Sequence, residues 1–120
     1  MTLYHFCTPQ QWEQKRSEAH YAPESLQTEG FIHLSTKKQL YDTFQRYFSK
    51  QQEVLLLRIE LPENAAALHF EDSYGRGETF PHYYEPLPVR RVQESLPVPA
   101  PTPGGVPDYQ KVLRRFFEQL

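Results

Sequence analysis

The feature that most constrains the fold is an apolar run in the middle of the chain. Residues 54–57 read Val-Leu-Leu-Leu, and polar and apolar residues then alternate over residues 58–61. A continuous apolar run indicates a strand buried on both faces, whereas alternation indicates a strand with one polar face. We therefore predict a strand over residues 53–61 that occupies the centre of a sheet and is buried on both faces at its start.

The length and composition of the chain fit one compact domain. The chain has 120 residues, of which 38% are hydrophobic, and this is enough to bury a core without a metal or a disulfide. The single cysteine, Cys7, cannot close an internal disulfide, which agrees with a reducing compartment. A lone cysteine in an apolar strand is more often buried and inert than nucleophilic.

Charge and hydropathy limit the partners and the location of the protein. The formal net charge is −2, and the charges are interspersed rather than clustered, so no basic surface for nucleic acid is expected. No apolar run approaches the roughly 20 residues of a membrane span, and the polar start of the chain lacks the regions of a signal peptide. The sequence predicts a cytoplasmic protein that binds neither a membrane nor nucleic acid.

Two capping boxes mark the starts of helices. Thr8 is followed by Gln11, and Thr36 is followed by Gln39, so that each N-cap hydroxyl has a glutamine three residues later. Pro9 also stands at the first helical position of the first segment. We predict helices over residues 9–18 and 36–49.

The remaining elements are predicted from alternation and from turn residues. Apolar alternation indicates strands over residues 3–7, 31–35, 68–71 and 89–98. In the third of these the polar face meets solvent, which makes His69 a surface residue. Residues 20–30 and 72–79 read as loops, and the second contains Gly75 and Gly77 and is a candidate mobile flap.

The C-terminal part of the chain differs in composition from the rest. Five prolines and two glycines fall within residues 97–107 and indicate a linker between a domain over residues 1–96 and a final helix over residues 108–120. That helix carries an apolar stripe and must dock. Packing on its own domain is the favoured interpretation, a homodimer through this helix is the second, and a membrane surface is the third. The stripe consists of Tyr109, Val112, Leu113, Phe116, Phe117 and Leu120.

Two further segments are candidates for a functional site. Residues 30–36 read GFIHLST and residues 80–88 read FPHYYEPLP, so each places a histidine in an apolar, extended stretch. Alternation puts Phe31, His33 and Ser35 on one face of a strand and the apolar residues between them in the core. Either histidine alone is most simply a core residue bonded to a backbone carbonyl, and their combination indicates a site.

These segments together resemble a known bacterial family. Residues 4–8, 25–36, 55–59 and 80–87 look like the family catalogued as domain of unknown function 952, and the resemblance spans about residues 3–96. The glycine-aromatic-isoleucine-histidine and phenylalanine-proline-histidine segments carry it. The proline-rich segment and the final helix lie outside the resemblance.

The resemblance implies an α+β fold similar to the ADP-ribosyltransferase superfamily, including its RNA 2′-phosphotransferase branch. Such a fold has split small β-sheets with flanking helices, and the cleft between the sheets holds NAD; here a C-terminal helix is appended. The resemblance further implies that His5 holds the nicotinamide ribose, with His33 and Ser35 lining the same cleft. The superfamily glutamate that guides the attacking nucleophile has no confident match, and Glu85 and Glu94 are the available residues.

The residues support a first hypothesis, a cleft for NAD or a related ADP-ribose or phosphoribosyl ligand, with catalysis left open. Histidines can bind ribose hydroxyls or phosphate and can exchange protons near neutral pH, so His5, His33 and His82 are the catalytic candidates. The further ligand-binding candidates are Thr8 and Ser35 in the cleft, Phe31 and Tyr84 stacking on a flat ring, and Arg76 contacting a phosphate.

Two other hypotheses remain open from the sequence. The first is a noncatalytic small-molecule-binding or protein-interaction module, which the missing glutamate favours. The second is a zinc site built from the three histidines, which is disfavoured because they lack the local spacing of zinc motifs. We expect no metal cofactor.

Overall fold

The computed structural model describes residues 1–101 and 108–120. Within them the chain alternates short strands and helices. The strands are β1 (Thr2–Cys7), β2 (His20–Tyr21), β3 (Ile32–His33), β4 (Leu55–Glu60), β5 (Leu68–Glu71), β6 (Phe80–Tyr83), β7 (Leu87–Pro88) and β8 (Val92–Pro97). The α-helices are α1 (Pro9–Lys15), α2 (Glu24–Thr28), α3 (Leu40–Tyr47) and α4 (Tyr109–Glu118).

The centre of the molecule is a three-stranded antiparallel sheet in the order β1-β4-β8, here named the long sheet. The prediction that residues 53–61 form the central strand is confirmed, with bounds of Leu55–Glu60. Leu56, Leu57 and Ile59 of this strand are fully buried, and they point alternately to the two faces. Both faces of the long sheet must therefore be covered.

The two faces are covered in different ways. On one face, α3 and α4 pack against Tyr4, Phe6 and Leu56. Leu113 and Phe117 of α4 are buried in this contact. On the other face the remaining strands and α1 pack against a second apolar cluster that includes Leu57 and Ile59. The C-terminal helix thus lies on its own domain, and that contact covers the centre of its apolar stripe.

A second three-stranded antiparallel sheet, in the order β3-β6-β5, is here named the histidine sheet. It joins the edge of the long sheet through one isolated bridge between Tyr4 and Ser35. The Tyr4 N–H donates to the Ser35 oxygen at 2.9 Å, and the Ser35 N–H donates to the Tyr4 oxygen at 2.8 Å. This bridge pairs the backbones of the two sheets at one point, and side chains of both sheets also pack together in the apolar cluster that contains Ile32 and Leu57.

The start of α1 forms as predicted. The N–H of Gln11 donates to the Thr8 hydroxyl at 3.1 Å, and the Thr8 N–H donates to the Gln11 side-chain oxygen at 2.8 Å. The second capping box begins with a 3-10 turn over Lys37–Gln39, which leads into α3. Both helices end before the predicted residues 18 and 49.

Two strand and loop predictions from the sequence are wrong. Residues 20–30 are not a loop, because β2 pairs with β7 and α2 makes one helical turn after Pro23. Elements of two and five residues are too short to show a periodic pattern. The strand predicted over residues 31–35 is regular only at Ile32–His33, because Ser35 turns away to bridge Tyr4.

Smaller differences concern the ends of the domain and one strand. The predicted strand over residues 89–98 begins with a 3-10 turn at Val89–Arg91. Pro97 still pairs with Leu55, and the buried Val98 donates its N–H to the Val54 oxygen, so the sheet continues past residue 96. Most of the predicted linker, residues 102–107, lies outside the described residues. No helix within the described residues is long and apolar enough to span a bilayer.

Candidate functional site

A cavity of about 370 Å³ opens where the long sheet and the histidine sheet diverge. Its walls come from β1, α1, β2, α2, β3, α3 and β6 and from the loop after β5. The side chains of His5, His33 and His82 all line it. Three imidazoles that are far apart in the sequence therefore lie around one concave surface.

His5 is held by hydrogen bonds at both ring nitrogens. Its Nδ1 lies 2.7 Å from the backbone oxygen of His33, and its Nε2 lies 2.9 Å from the hydroxyl of Tyr21. Because a carbonyl oxygen only accepts, Nδ1 donates, and Nε2 accepts from the Tyr21 hydroxyl. Burial lowers the pKa of His5 to about 4, so the ring is neutral at neutral pH.

Tyr21 lies on the wall of the cavity and contacts both His5 and Cys7. Tyr21 is 1% exposed, and burial raises the pKa of its hydroxyl well above the usual range. Burial also raises the pKa of the Cys7 thiol to about 12, against a smaller opposing effect from a hydrogen bond with Tyr21. Cys7 is therefore a protonated thiol, which agrees with the inert role expected for it.

His33 faces the mouth of the cavity and carries a carboxylate partner. Its Nε2 pairs with the side chain of Glu29, the residue that ends α2. The Phe31 ring packs edge-on against the imidazole, with the ring centroids 4.9 Å apart. The pairing with Glu29 fixes the orientation of the ring.

His82 is the most enclosed of the three histidines. It is 1% exposed, its Nδ1 lies 3.0 Å from Glu71 Oε1, and Phe31 stacks on the ring at 4.0 Å. Glu71 also accepts a hydrogen bond from the Tyr84 hydroxyl at 2.5 Å. The hydrogen bonds from Tyr84 and then from His82 lower the pKa of Glu71, so the carboxylate is charged at neutral pH. With Nδ1 bonded to Glu71, Nε2 is the nitrogen left for a ligand.

Strand register explains why these groups meet. In the histidine sheet His33 lies opposite His82, and His82 lies opposite His69 on the next strand. Opposed residues of antiparallel strands point to the same face, so the three side chains form one row. The ring centroids of His33 and His82 are 5.6 Å apart. His69 is on the surface, as predicted, where it packs against Tyr84.

The other residues selected from the sequence fall into two groups. Thr8 and Ser35 line the cavity, although the Thr8 hydroxyl also caps α1. Phe31 and Tyr84 are not in the lining and instead hold His82 and its carboxylate partner from the side. Arg76 also lies outside the lining, where it contacts two tyrosines at the mouth.

The partners of the histidines carry little signal in the sequence. Tyr21 lies in a two-residue strand inside a segment predicted as a loop, and no periodic pattern marked it. Glu71 lies on the same face of β5 as His69, the face predicted to meet solvent, and the pairing of β5 with β6 that brings it to His82 has no local signal in the sequence. Phe70, on the opposite side of β5, is 43% exposed. Glu29 precedes His33 by four residues, but this spacing indicates a side-chain contact only within a helix, and His33 lies in a strand.

The two glutamates considered for a catalytic role lie elsewhere. Glu94 accepts a hydrogen bond from Arg58 on the long sheet at 3.2 Å, and Glu85 is an exposed residue after β6. Neither lines the cavity. Within residues 1–101 and 108–120, no three histidine, cysteine or acidic side chains are placed to hold a metal ion.

The charged side chains of the cavity wall indicate which chemical groups of a ligand the cavity can hold. Among the described residues that line it, Glu24 is the carboxylate and there is no lysine or arginine. Hydroxyl groups, imidazoles and aromatic rings make up most of the remaining wall, including Ser35, Tyr47 and Phe80. This surface fits a ring or a sugar better than a phosphate, because phosphate binds most strongly to arginine and lysine.

The fold and site together define a class of protein, a small α+β domain with a histidine-lined cavity between divergent antiparallel sheets. The chain belongs to the family described as "Protein of unknown function (DUF952)", whose model matches residues 6–95. The resemblance found in the sequence is thereby confirmed at the level of this family. The chain matches no curated protein.

Solved structures of one bacterial protein are similar to this chain. The crystal structure of protein CC0527 from Caulobacter crescentus has a TM-score of 0.75 and 28% sequence identity, and the alignment covers 95% of this chain and 99% of that chain. Its solution NMR structure has a TM-score of 0.74, with coverage of 92% and 94%. This similarity extends beyond residues 6–95, so it includes part of the C-terminal helix. The ADP-ribosyltransferase-like fold stays an expectation from the sequence.

Proposed function

We propose that the cavity binds NAD or a related ADP-ribose or phosphoribosyl ligand. The observation that carries the proposal is the convergence of His5, His33 and His82 on one cavity. Two of these rings have carboxylate partners, Glu29 and Glu71, which suits them to hydrogen bonding and proton transfer. Such pairing is more than a core histidine requires.

The size of the cavity limits how much of a dinucleotide it can hold. Small-molecule sites generally have volumes of about 300–1,000 Å³, and this one has about 370 Å³. One ring with its ribose fits a volume at the lower end of that range, whereas the rest of a dinucleotide must lie across the mouth. The aromatic side chains of Tyr47, Phe48 and Phe80 supply flat walls for the enclosed ring.

The chemistry proposed for a catalytic form is transfer of the ribosyl group. The bond between the ribose carbon and nicotinamide breaks, and its electron pair leaves with nicotinamide. A hydroxyl or water oxygen then bonds to that carbon and gives up its proton to a base. His82 can accept this proton at Nε2, because Glu71 holds its Nδ1. Glu71 also stabilises the positive charge that the ring then carries.

A noncatalytic binding module is the second candidate function. It is favoured by the positions of Glu85 and Glu94, which leave no late glutamate beside the three histidines. In this case the cavity holds the ligand without breaking the bond to nicotinamide.

A titration of NAD followed by tryptophan fluorescence tests the proposal. Trp12 is the single tryptophan of the chain, and its ring packs against Tyr21 on the cavity wall at 6.1 Å. We expect a saturable change in its emission. The variant His82→Ala should weaken the binding, and the control His20→Ala, at an exposed site on β2, should leave it unchanged.

Two results test the proposed ligand and distinguish a catalyst from a binding module. No fluorescence response with millimolar NAD or ADP-ribose would overturn the nucleotide proposal. If NAD binds, release of free nicotinamide over hours distinguishes a catalyst from a binding module. Release that persists in His82→Ala would exclude His82 as the base.

A further inference from the structure

Arg76 holds its charge at the mouth of the cavity. Its Nη1 donates to the Tyr47 hydroxyl at 3.0 Å, and its guanidinium carbon lies 5.1 Å from the centre of the Tyr74 ring. Both tyrosines line the cavity. The guanidinium therefore contacts side chains that border the space where a ligand would lie.

Asp72 stabilises the conformation of the loop that carries Arg76. The Asp72 carboxylate accepts from the N–H of Arg76 at 2.9 Å and from the N–H of Gly77 at 2.8 Å. These hydrogen bonds hold the pKa of Asp72 below its usual range. Gly75 and Gly77 take positive φ angles that close the turn. Because Asp72 occupies these N–H groups, the loop backbone is not a phosphate cradle, and the side chain of Arg76 is the donor it presents.

The acidic groups of the loop have other partners. Asp72 is bonded to the loop backbone, and Glu78 accepts a hydrogen bond from Gln39 at 3.2 Å. Within the described residues, Arg76 forms none of the ion pairs. A guanidinium has five N–H donors, and the bond to Tyr47 uses one of them. The group thus combines a fixed position with donors left for an anion.

We infer that Arg76 forms a phosphate subsite at the mouth of the cavity. This inference rests on the proposed function and narrows its ligand class. Among the described residues the enclosed wall has no lysine or arginine, so a ring and its ribose lie inside while the phosphate attached to that ribose meets Arg76. The preferred ligand is then a nucleotide rather than a free base or a nucleoside.

Paired ligands that differ by one phosphate test the subsite. The affinities of nicotinamide mononucleotide and nicotinamide riboside are measured by calorimetry on the full chain. Adenosine monophosphate and adenosine form a second pair, because either end of a dinucleotide could enter. In at least one pair, we expect the phosphate to strengthen binding about tenfold. This factor corresponds to the lower end of the free energy of a hydrogen bond to a charged group. Arg76→Gln should remove that difference and leave the nucleoside affinity unchanged.

A neighbouring arginine provides the matched control. Arg46 lines a separate hollow of about 40 Å³ together with Asp42 and Glu78, and it is not in the lining of the main cavity. Arg46→Gln should therefore keep the tenfold difference. The preference for phosphate should also decline as salt is added to the wild type, because the contact is exposed.

The experiment distinguishes failure of the phosphate subsite from failure of the proposed function. If nucleotide and nucleoside bind equally well, or if the difference survives in Arg76→Gln, the phosphate subsite is overturned while the proposed function stands. If neither member of either pair binds at millimolar concentration, the proposed function fails and the subsite fails with it.

Discussion

At the scale of single residues, the three cavity histidines differ in what holds them. His5 is neutral and bonded at both nitrogens, so it serves as a fixed part of the wall unless a ligand displaces the Tyr21 hydroxyl. His33 and His82 each pair with a carboxylate, which equips them for proton transfer. His5 is therefore a rigid part of the cavity wall, whereas His33 and His82 are polar groups that can contact a ligand.

The buried state of His5 predicts a dependence of stability on pH. Its pKa is about 4 in the folded protein against 6.5 as the ordinary value, so between these pH values the unfolded chain binds a proton that the folded chain does not. The free energy of unfolding should therefore fall as pH is lowered from 6.5 to 4, by about 3 kcal/mol from this group. Urea denaturation at several pH values measures this.

Two variants isolate the contribution of His5. His5→Gln should lose this part of the pH dependence, whereas His69→Gln, at an exposed position, should retain it. An unchanged slope in His5→Gln would show that His5 is not the group responsible. The pKa values of Glu71 and Asp72 are lowered in the folded protein, so their contribution to stability is lost only at the acid end, as pH falls through the ordinary carboxyl range.

At the scale of helices and strands, local signals in the sequence predicted the longer elements. The apolar run identified β4, and the glutamine three residues after Thr8 identified the start of α1, because both patterns report on neighbouring residues. The two-residue strands β2 and β7 carry no such pattern and form because each pairs with the other. The bridge from Ser35 to Tyr4 depends in the same way on distant residues.

The C-terminal helix α4 should contribute to the stability of the whole domain. Leu113 is fully buried against the core, so Leu113→Ala should lower the free energy of unfolding by about 2–5 kcal/mol. Val112 is 42% exposed on the same helix, and Val112→Ala should change it by about 0.5 kcal/mol or less. Equal effects in denaturant titrations would contradict the docking of α4 through Leu113.

At the scale of the whole molecule, the site depends on how two sheets separate. The sequence predicted that His5, His33 and His82 share a cleft, and they do line one cavity. It could not predict the carboxylate partners, because the pairing of β5 with β6 brings Glu71 to His82 across eleven residues of chain. Nor could it place Phe31 and Tyr84, which support His82 from outside the lining.

The histidine side-chain NMR signals provide the most direct test of a shared ligand site. The chain has five histidines, of which His5, His33 and His82 line the cavity, whereas His20 and His69 are exposed. In a titration with NAD, we expect saturable shifts of the three cavity signals with one common affinity, while the signals of His20 and His69 stay in place. Shifts confined to the two exposed histidines, or no shift at millimolar NAD, would contradict it.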